Sequence, residues 1–218
     1  MKKIIISALL IGSFAFGMEM KDGIAEYDKG NYAKAYKIFY ALAKNGDPKA
    51  QYNIALMSLS GKGTNVSHKE AISWYTKAAD QNHAPSQYSL GYMYQKQAKT
   101  KPLLINQAKY WYTQAMTNGV KEAYTNMAFL YYTGYGKDIP KDIPKDIPKA
   151  ITLLSKAASM GDANAQLNLA IIYGWKNDVP NDKQKTYKYL KQALSCGKSE
   201  ASAYLDVLCK ESVWACKE

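Results

Sequence analysis

Few residues in this 218-residue chain combine a reactive type with a useful spacing. The histidines, His68 and His83, stand in consecutive turn regions with no carboxylate or cysteine cluster at ligand spacing, so no metal site is expected. Ser195-Cys196-Gly197-Lys198 spells S-x-x-K, the opening of a signature for serine acylation by a lactam. That chemistry needs serine and lysine on one helical face, plus S-D-N and K-T-G elements to hold the substrate. Gly197 falls where the helical pattern stops, and neither companion element occurs. No glycine-rich loop follows a strand-like run, so neither a nucleotide nor any other cofactor is expected. Cys196, Cys209 and Cys216 lie near the C-terminus, and an odd count leaves one thiol over. On an unbroken helix Cys209 and Cys216 would stand about 10.5 Å apart along the axis, beyond the roughly 7 Å a disulfide spans. Either they stay unpaired or the last helix breaks between them.

With 47% hydrophobic and 22% charged residues the chain has a globular composition, not a disordered one. The net charge of +11 is carried entirely by lysine. Arginine, the residue suited to bidentate contact with guanine and phosphate, is absent, so no nucleic-acid partner is expected. Lys2 and Lys3, an apolar run over residues 4–16 and the small-x-small sequence Ala15-Phe16-Gly17 read as a signal peptide over residues 1–17. The run would cover about 20 Å as a helix, short of the roughly 30 Å hydrocarbon core. Export to the periplasm or medium is the expectation, with the mature chain starting at Met18 and carrying +9 once Lys2 and Lys3 leave.

Self-similarity outranks any local motif. AQYNIALMSLSG from Ala50, SQYSLGYMY from Ser86, AYTNMAFLYYTG from Ala123 and AQLNLAIIYG from Ala165 align with small residues at Ala55, Gly91, Ala128 and Ala170. Each is preceded by an apolar one: Ile54, Leu90, Met127 and Leu169. A weaker fifth copy starts at Ala201. A second helical segment accompanies each, starting at Ala35, Ala71, Ala108, Ala150 and Thr186, at spacings of 36, 37, 42 and 36 residues. Gly46, Gly119, Gly161 and Gly197 close four of these and Asn82 the other, as left-handed helix-ending residues do. Apolar and small residues every three to four positions predict helices, and neither helix of a unit could bury its face alone. The expected fold is all-α: a right-handed solenoid of antiparallel helix pairs, four to five repeats of about 36 residues. Tandem KDIP copies over residues 137–148 account for the 42-residue spacing and read as a protruding, non-helical loop.

SLSGKGTNVSHKEAISWYTKAA from Ser58 and the run from Tyr131 to the KAITLLSKAA segment resemble the Sel-one-like repeat proteins, relatives of the tetratricopeptide repeats. Gly61, Gly63, Gly134 and Gly136 stand at the family's turn glycines, whereas the unit from Ser86 replaces that turn with QKQAKTKPLL. The resemblance covers about residues 30–205 and implies a partial repeat or cap over 18–46, repeats over 47–200 and a cap over 201–218. It implies a protein-binding scaffold, monomeric, whose first helices line the concave face. Carried onto this chain, the groove positions are Tyr52, Tyr88, Thr125 and Leu167; then Leu56, Tyr92, Phe129 and Ile171; then Leu59, Gln95 and Tyr132. The partner implied is a protein or peptide of unknown identity, with an acidic envelope polymer as the alternative. Some cysteine-rich relatives carry a β-lactamase or penicillin-binding label, which is the enzymatic alternative. Those relatives pair cysteines eight residues apart across each turn, where this chain has Ala79 and Gln87, Met116 and Tyr124, Ala158 and Gln166, Leu194 and Ser202. The chain is therefore expected to stack without such staples. Kinship with an exported family favours a break in the last helix at Lys210-Glu211-Ser212 and a Cys209–Cys216 disulfide, leaving Cys196 free and buried. Ser212 is expected to cap a short last turn. Intact-mass analysis of the secreted chain should find an N-terminus near Met18; a full-length chain held in the inner membrane would contradict export.

Overall fold

The computed structural model describes residues 19–135 and 143–216, so the expected signal peptide and the first half of the KDIP run lie outside the described residues. Eleven α-helices are described: α1 (Met20–Asp28), α2 (Tyr32–Lys44), α3 (Pro48–Ser60), α4 (His68–Ala79), α5 (Ala84–Ala98), α6 (Ile105–Thr117), α7 (Lys121–Thr133), α8 (Ile147–Ser159), α9 (Ala163–Trp175), α10 (Lys183–Ser195) and α11 (Ala201–Glu211). Among the described residues the extended pairing is one isolated bridge, Tyr135 with Ile143. No described helix is long and apolar enough to cross a membrane. The chain forms two compact units, one ending at Ser86 and one beginning at Gln87. In the first, α1 packs on α2, α2 on α3 and α3 on α4; in the second, α6 through α11 pack each on the next.

The turn that joins one helix pair to the next recurs almost unchanged. Gly46, Gly119, Gly161, Gly197 and Asn82 all take positive φ, between 61° and 96°. The following N–H then reaches back to a carbonyl of the preceding helix: Asp47 to Leu42, His83 to Ala78, Val120 to Ala115, Asp162 to Ala157 and Lys198 to Ala193. These are Schellman closures, which satisfy carbonyls that a helix end leaves without partners. The residue three positions on, Ala50, Ser86, Ala123, Ala165 or Ala201, is fully buried. Two of the helices after these turns, α3 and α9, start on side-chain caps, Asp47 accepting from the Ala50 N–H at 2.8 Å and Asp162 from those of Asn164 and Ala165 at 2.8 and 3.2 Å.

Side-chain hydrogen bonds cross three of these turns. Gln51 Nε2 donates to the Ala43 carbonyl at 3.1 Å, Gln166 Nε2 to that of Ala158 at 3.2 Å, and Tyr124 Oη to that of Met116 at 3.2 Å. Each bond spans eight residues across a turn.

Small residues set how closely the two helices of a pair approach. A Cβ on Gly91 would lie 2.5 Å from the Tyr112 ring, and one on Gly23 would lie 2.4 Å from Phe39. Ala55, Ala128 and Ala170 are fully buried at the equivalent register. Where the unit from Ser86 lacks turn glycines, the chain makes a short 3-10 turn, Pro102–Leu104, and buries Ala98 and Ile105 on either side.

The described half of the KDIP run departs from the protruding loop expected. Ile143 is buried and bridged to Tyr135, the Asp146 carboxylate caps α8 through the Lys149 N–H at 2.9 Å, and Ile147 and Pro148 begin that helix. Proline suits a first helical turn, where its missing N–H costs nothing.

Gln51 also accepts from Gln81 Nε2 at 2.9 Å, whereas Gln166 Oε1 has no partner. Gln51→Ala should therefore destabilise by about 1–3 kcal/mol in urea unfolding, and Gln166→Ala by less, since it also removes an unsatisfied oxygen. Deleting one KDIP copy should leave stability nearly unchanged, because two copies still fill the Ile143 and Asp146 positions and shorter loops close readily. Deleting two copies removes the buried isoleucine and should cost about 2–5 kcal/mol.

Candidate functional site

Two pockets, one in each unit, are built from the same repeat positions. In the first unit Ile24, Tyr27, Phe39, Asn53, Leu56 and Met57 line a cavity of about 180 Å³. In the second, Phe129, Tyr132, Leu154, Asn168, Ile171 and Ile172 occupy the corresponding positions around about 210 Å³, with Thr125, Ala128, Thr133 and Lys176 completing the wall. The correspondence follows from the register. Ile24, Leu56, Phe129 and Ile171 each directly follow a small residue, Gly23, Ala55, Ala128 or Ala170. The small residue faces its own pair's second helix, and the next residue, turned about 100° around the axis, emerges beside it. Phe39 and Leu154, from the second helices α2 and α8, supply the floors.

Of the residues expected from sequence, Leu56, Thr125, Phe129, Tyr132 and Ile171 line these pockets. Phe129 is 56% exposed, a large apolar surface left in water. Tyr92, at the same register on α5, is 45% exposed with the Lys96 ammonium 5.2 Å from its ring centre. The others serve packing. Tyr52 sits against the rings of Tyr75 and His83 at 5.5 and 5.2 Å. Tyr88 Oη accepts from Asn126, and Gln95 accepts from the buried Tyr112 hydroxyl at 2.5 Å. Burial pushes the Tyr112 hydroxyl far above the ordinary tyrosine range. Leu167 is buried in the core, whereas Thr125, half-buried at the wall of the second pocket, donates to the buried Asp162 carboxylate at 2.7 Å. Leu59 is half-buried.

The pocket rims carry charge. Tyr132 donates to Asp178 Oδ2 at 2.6 Å, and Lys145 pairs with the same carboxylate at 3.2 Å. Burial and that hydrogen bond push the Tyr132 hydroxyl up to about 12, while its donation and that of Lys145 hold Asp178 below the usual carboxylate range. In the first unit Lys62 Nζ donates to Tyr27 Oη at 2.8 Å from the equivalent place after α3.

Sequence reasoning passed over Ile24, Asn53 and Asn168. The asparagines were visible as a recurrence: Asn53, Asn126 and Asn168 all stand two residues before the small anchor. Ile24 was hidden because α1 replaces the expected apolar and tyrosine anchors with Asp22 and Glu26. These acids work locally. Asp22 accepts from the Glu19 N–H at 2.9 Å, and Glu26 accepts from Asn31 at 2.9 Å and pairs with Lys29 and Lys34 at 3.3 Å each.

The other motifs assemble no reactive centre among the described residues. α10 ends at Ser195, whose hydroxyl donates to the Gln192 carbonyl at 2.8 Å. Lys198 lies beyond the left-handed Gly197 and pairs with Glu200 at 3.1 Å, so serine and lysine share no helical face. His83 Nδ1 lies 2.9 Å from Ser86 Oγ, and burial holds the ring below the usual histidine range. Cys209 and Cys216 form a disulfide with Cα atoms 5.6 Å apart, because α11 stops at Glu211 and a 3-10 turn, Val213–Cys216, brings the second sulfur back. Cys196 is free and exposed, not buried as expected. The Ser212 hydroxyl accepts from Lys183 Nζ and caps no helix by its side chain in the described contacts.

Helix pairs joined by repeated Schellman turns define a helical-repeat protein. Four consecutive matches to the Sel1 repeat family model, over residues 48–83, 84–120, 121–162 and 163–198, show that the chain belongs to the Sel1 repeat family. The crystal structure of a Sel1 repeat protein from Oxalobacter formigenes is similar, with a TM-score of 0.75 and 26% identity over 90% of this chain and 80% of that one. A putative sel1-like repeat-containing protein of Acanthamoeba polyphaga mimivirus is 39% identical over 66 residues, 30% of this chain. Chitin synthase regulatory factor 4 of Schizosaccharomyces pombe is 31% identical over 113 residues, 49% of this chain. The matched segments span 12% and 17% of those two longer proteins. Sel1 repeat proteins generally act as scaffolds for protein–protein interaction.

Phe129→Ala should leave the urea midpoint within a small margin of wild type, about 0.5–1 kcal/mol at most, because its ring is mostly in water. Its near neighbour Tyr131→Ala, which empties a buried site, should cost about 3–5 kcal/mol in the same experiment.

Proposed function

We propose that this protein is an exported scaffold that binds an extended segment of another protein through the faces of its first helices. The observation that supports the reading most is the repeated pocket: two units place an apolar residue, a tyrosine, an asparagine and a second apolar residue at matching register around cavities of about 180 and 210 Å³. A single exposed leucine or phenylalanine is ordinary on a protein surface, but the same exposed register in successive pairs is not. Each pocket suits one side chain of a peptide. The asparagine at its edge offers both a donor and an acceptor, the combination a peptide backbone presents in return. Export rests on residues 1–17, which read as a signal peptide.

Peptides selected from a random display library on the mature chain should bind with affinities that fall about tenfold or more for Tyr92→Ala plus Phe129→Ala, as truncated aromatic anchors do. The helical circular dichroism should be unchanged. Selected peptides that bind the double variant as well as wild type would place the binding surface elsewhere.

A further inference from the structure

The second unit holds a different cleft at its C-terminal end, away from the repeat register. Tyr173, the α9–α10 connection from Val179 to Asp182, the first turn of α10 through Lys185, and Trp214 line an open cleft of about 440 Å³. That size lies within the range of about 300–1,000 Å³ typical of small-ligand sites. Its chemistry differs from that of the apolar pockets. One wall is the Trp214 indole, 59% exposed. The other is Tyr173, held rigid by stacking on Tyr189 with ring centres 6.2 Å apart. Between them stand the Asn181 and Gln184 amides and the charged groups Asp182, Lys183 and Lys185.

Trp214 is held there by two restraints. The Cys209–Cys216 disulfide ties the 3-10 turn carrying the indole to α11, and Lys183 Nζ donates to the buried Ser212 hydroxyl just before that turn. A large indole thus remains in water, yet its backbone is fixed on both sides.

We propose that this cleft binds an acidic oligosaccharide. An exposed indole offers an apolar face to the C–H face of a pyranose ring, and side-chain amides match ring hydroxyls in both hydrogen-bonding senses. Two lysines against one aspartate leave the lining with a net single positive charge. Lys185 spends one of its donors on Asp182 at 3.1 Å and lies 4.9 Å from the Tyr173 ring centre, which leaves ammonium donors for a carboxylate. A nucleic-acid strand is disfavoured, because a polyphosphate needs a continuous row of cations and the lining holds only two lysines.

The test is titration calorimetry of the oxidised mature chain with trigalacturonate, maltotriose and a thymidine hexanucleotide. Trigalacturonate should bind saturably, about tenfold or more tighter than neutral maltotriose or the hexanucleotide, as expected for one desolvated carboxylate contact added to stacking. Trp214→Ala and the Cys209→Ser plus Cys216→Ser variant should each weaken it about tenfold, whereas Trp214→Phe, which keeps an aromatic face, should retain most of the affinity. Tyr110→Ala, removing an exposed aromatic elsewhere, should change nothing. Absence of saturable trigalacturonate binding, equal binding by Trp214→Ala, equal binding of maltotriose, or tighter binding of the hexanucleotide would each overturn the proposal.

Discussion

A helix end leaves carbonyls without partners, and a protein made of short helices meets that cost at every turn. Here the ends are satisfied by one repeated device. A left-handed residue reverses the chain, the next N–H returns to the closing helix, and a side chain eight residues on from a late carbonyl donates to it. The side chain is glutamine at Gln51 and Gln166 and tyrosine at Tyr124. Because the bond runs from the first helix of one pair to the second helix of the previous pair, it sets the register between pairs as well as satisfying a carbonyl. Everything else in each unit depends on that register being kept.

One consequence is the candidate site. With the turn fixed, the small residue of each first helix meets the second helix of its own pair closely enough that Gly91 could not carry a methyl group without displacing Tyr112. The residue after the small one then has no room inside and points out, as Ile24, Leu56, Tyr92 and Phe129 do. The exposed apolar register is therefore a geometric product of tight pairing. Its chemical identity is free to vary, which is how one scaffold could be tuned to different segments. Tyr112, Gln95, Asn126 and Tyr88 share a hydrogen-bond network beside part of this face.

The helices and turns were legible because period, small-residue anchors and glycine closures all report the same local physics. Gly46, Gly119, Gly161, Gly197 and Asn82 were readable as left-handed residues for that reason. The site was legible in part. Register alone pointed to Phe129 and Ile171, but could not tell that Leu167, one turn earlier, turns into the core while Phe129 stays out. Nor could it show the hydrogen-bonded staples, since Gln51 and Gln166 resemble ordinary surface glutamines until the carbonyl they reach is in place. Ile24 escaped because α1 exchanges its apolar anchors for Asp22 and Glu26. The KDIP run misled for the opposite reason: proline and lysine suggest solvent, yet one of its isoleucines closes the core beside Tyr135.

The account stands or falls on whether partners meet the first-helix face. A photo-reactive phenylalanine placed at Phe129 on α7 and, separately, at Tyr110 on α6 compares two side chains of similar exposure, 56% and 53%, on a first and a second helix. Irradiation in the cells that produce the protein, followed by mass spectrometry of crosslinked peptides, reports what each one touches. The account predicts crosslinks from position 129 to a defined segment of one protein and none to that segment from position 110. The same segment captured from position 110, with nothing from position 129, would contradict it.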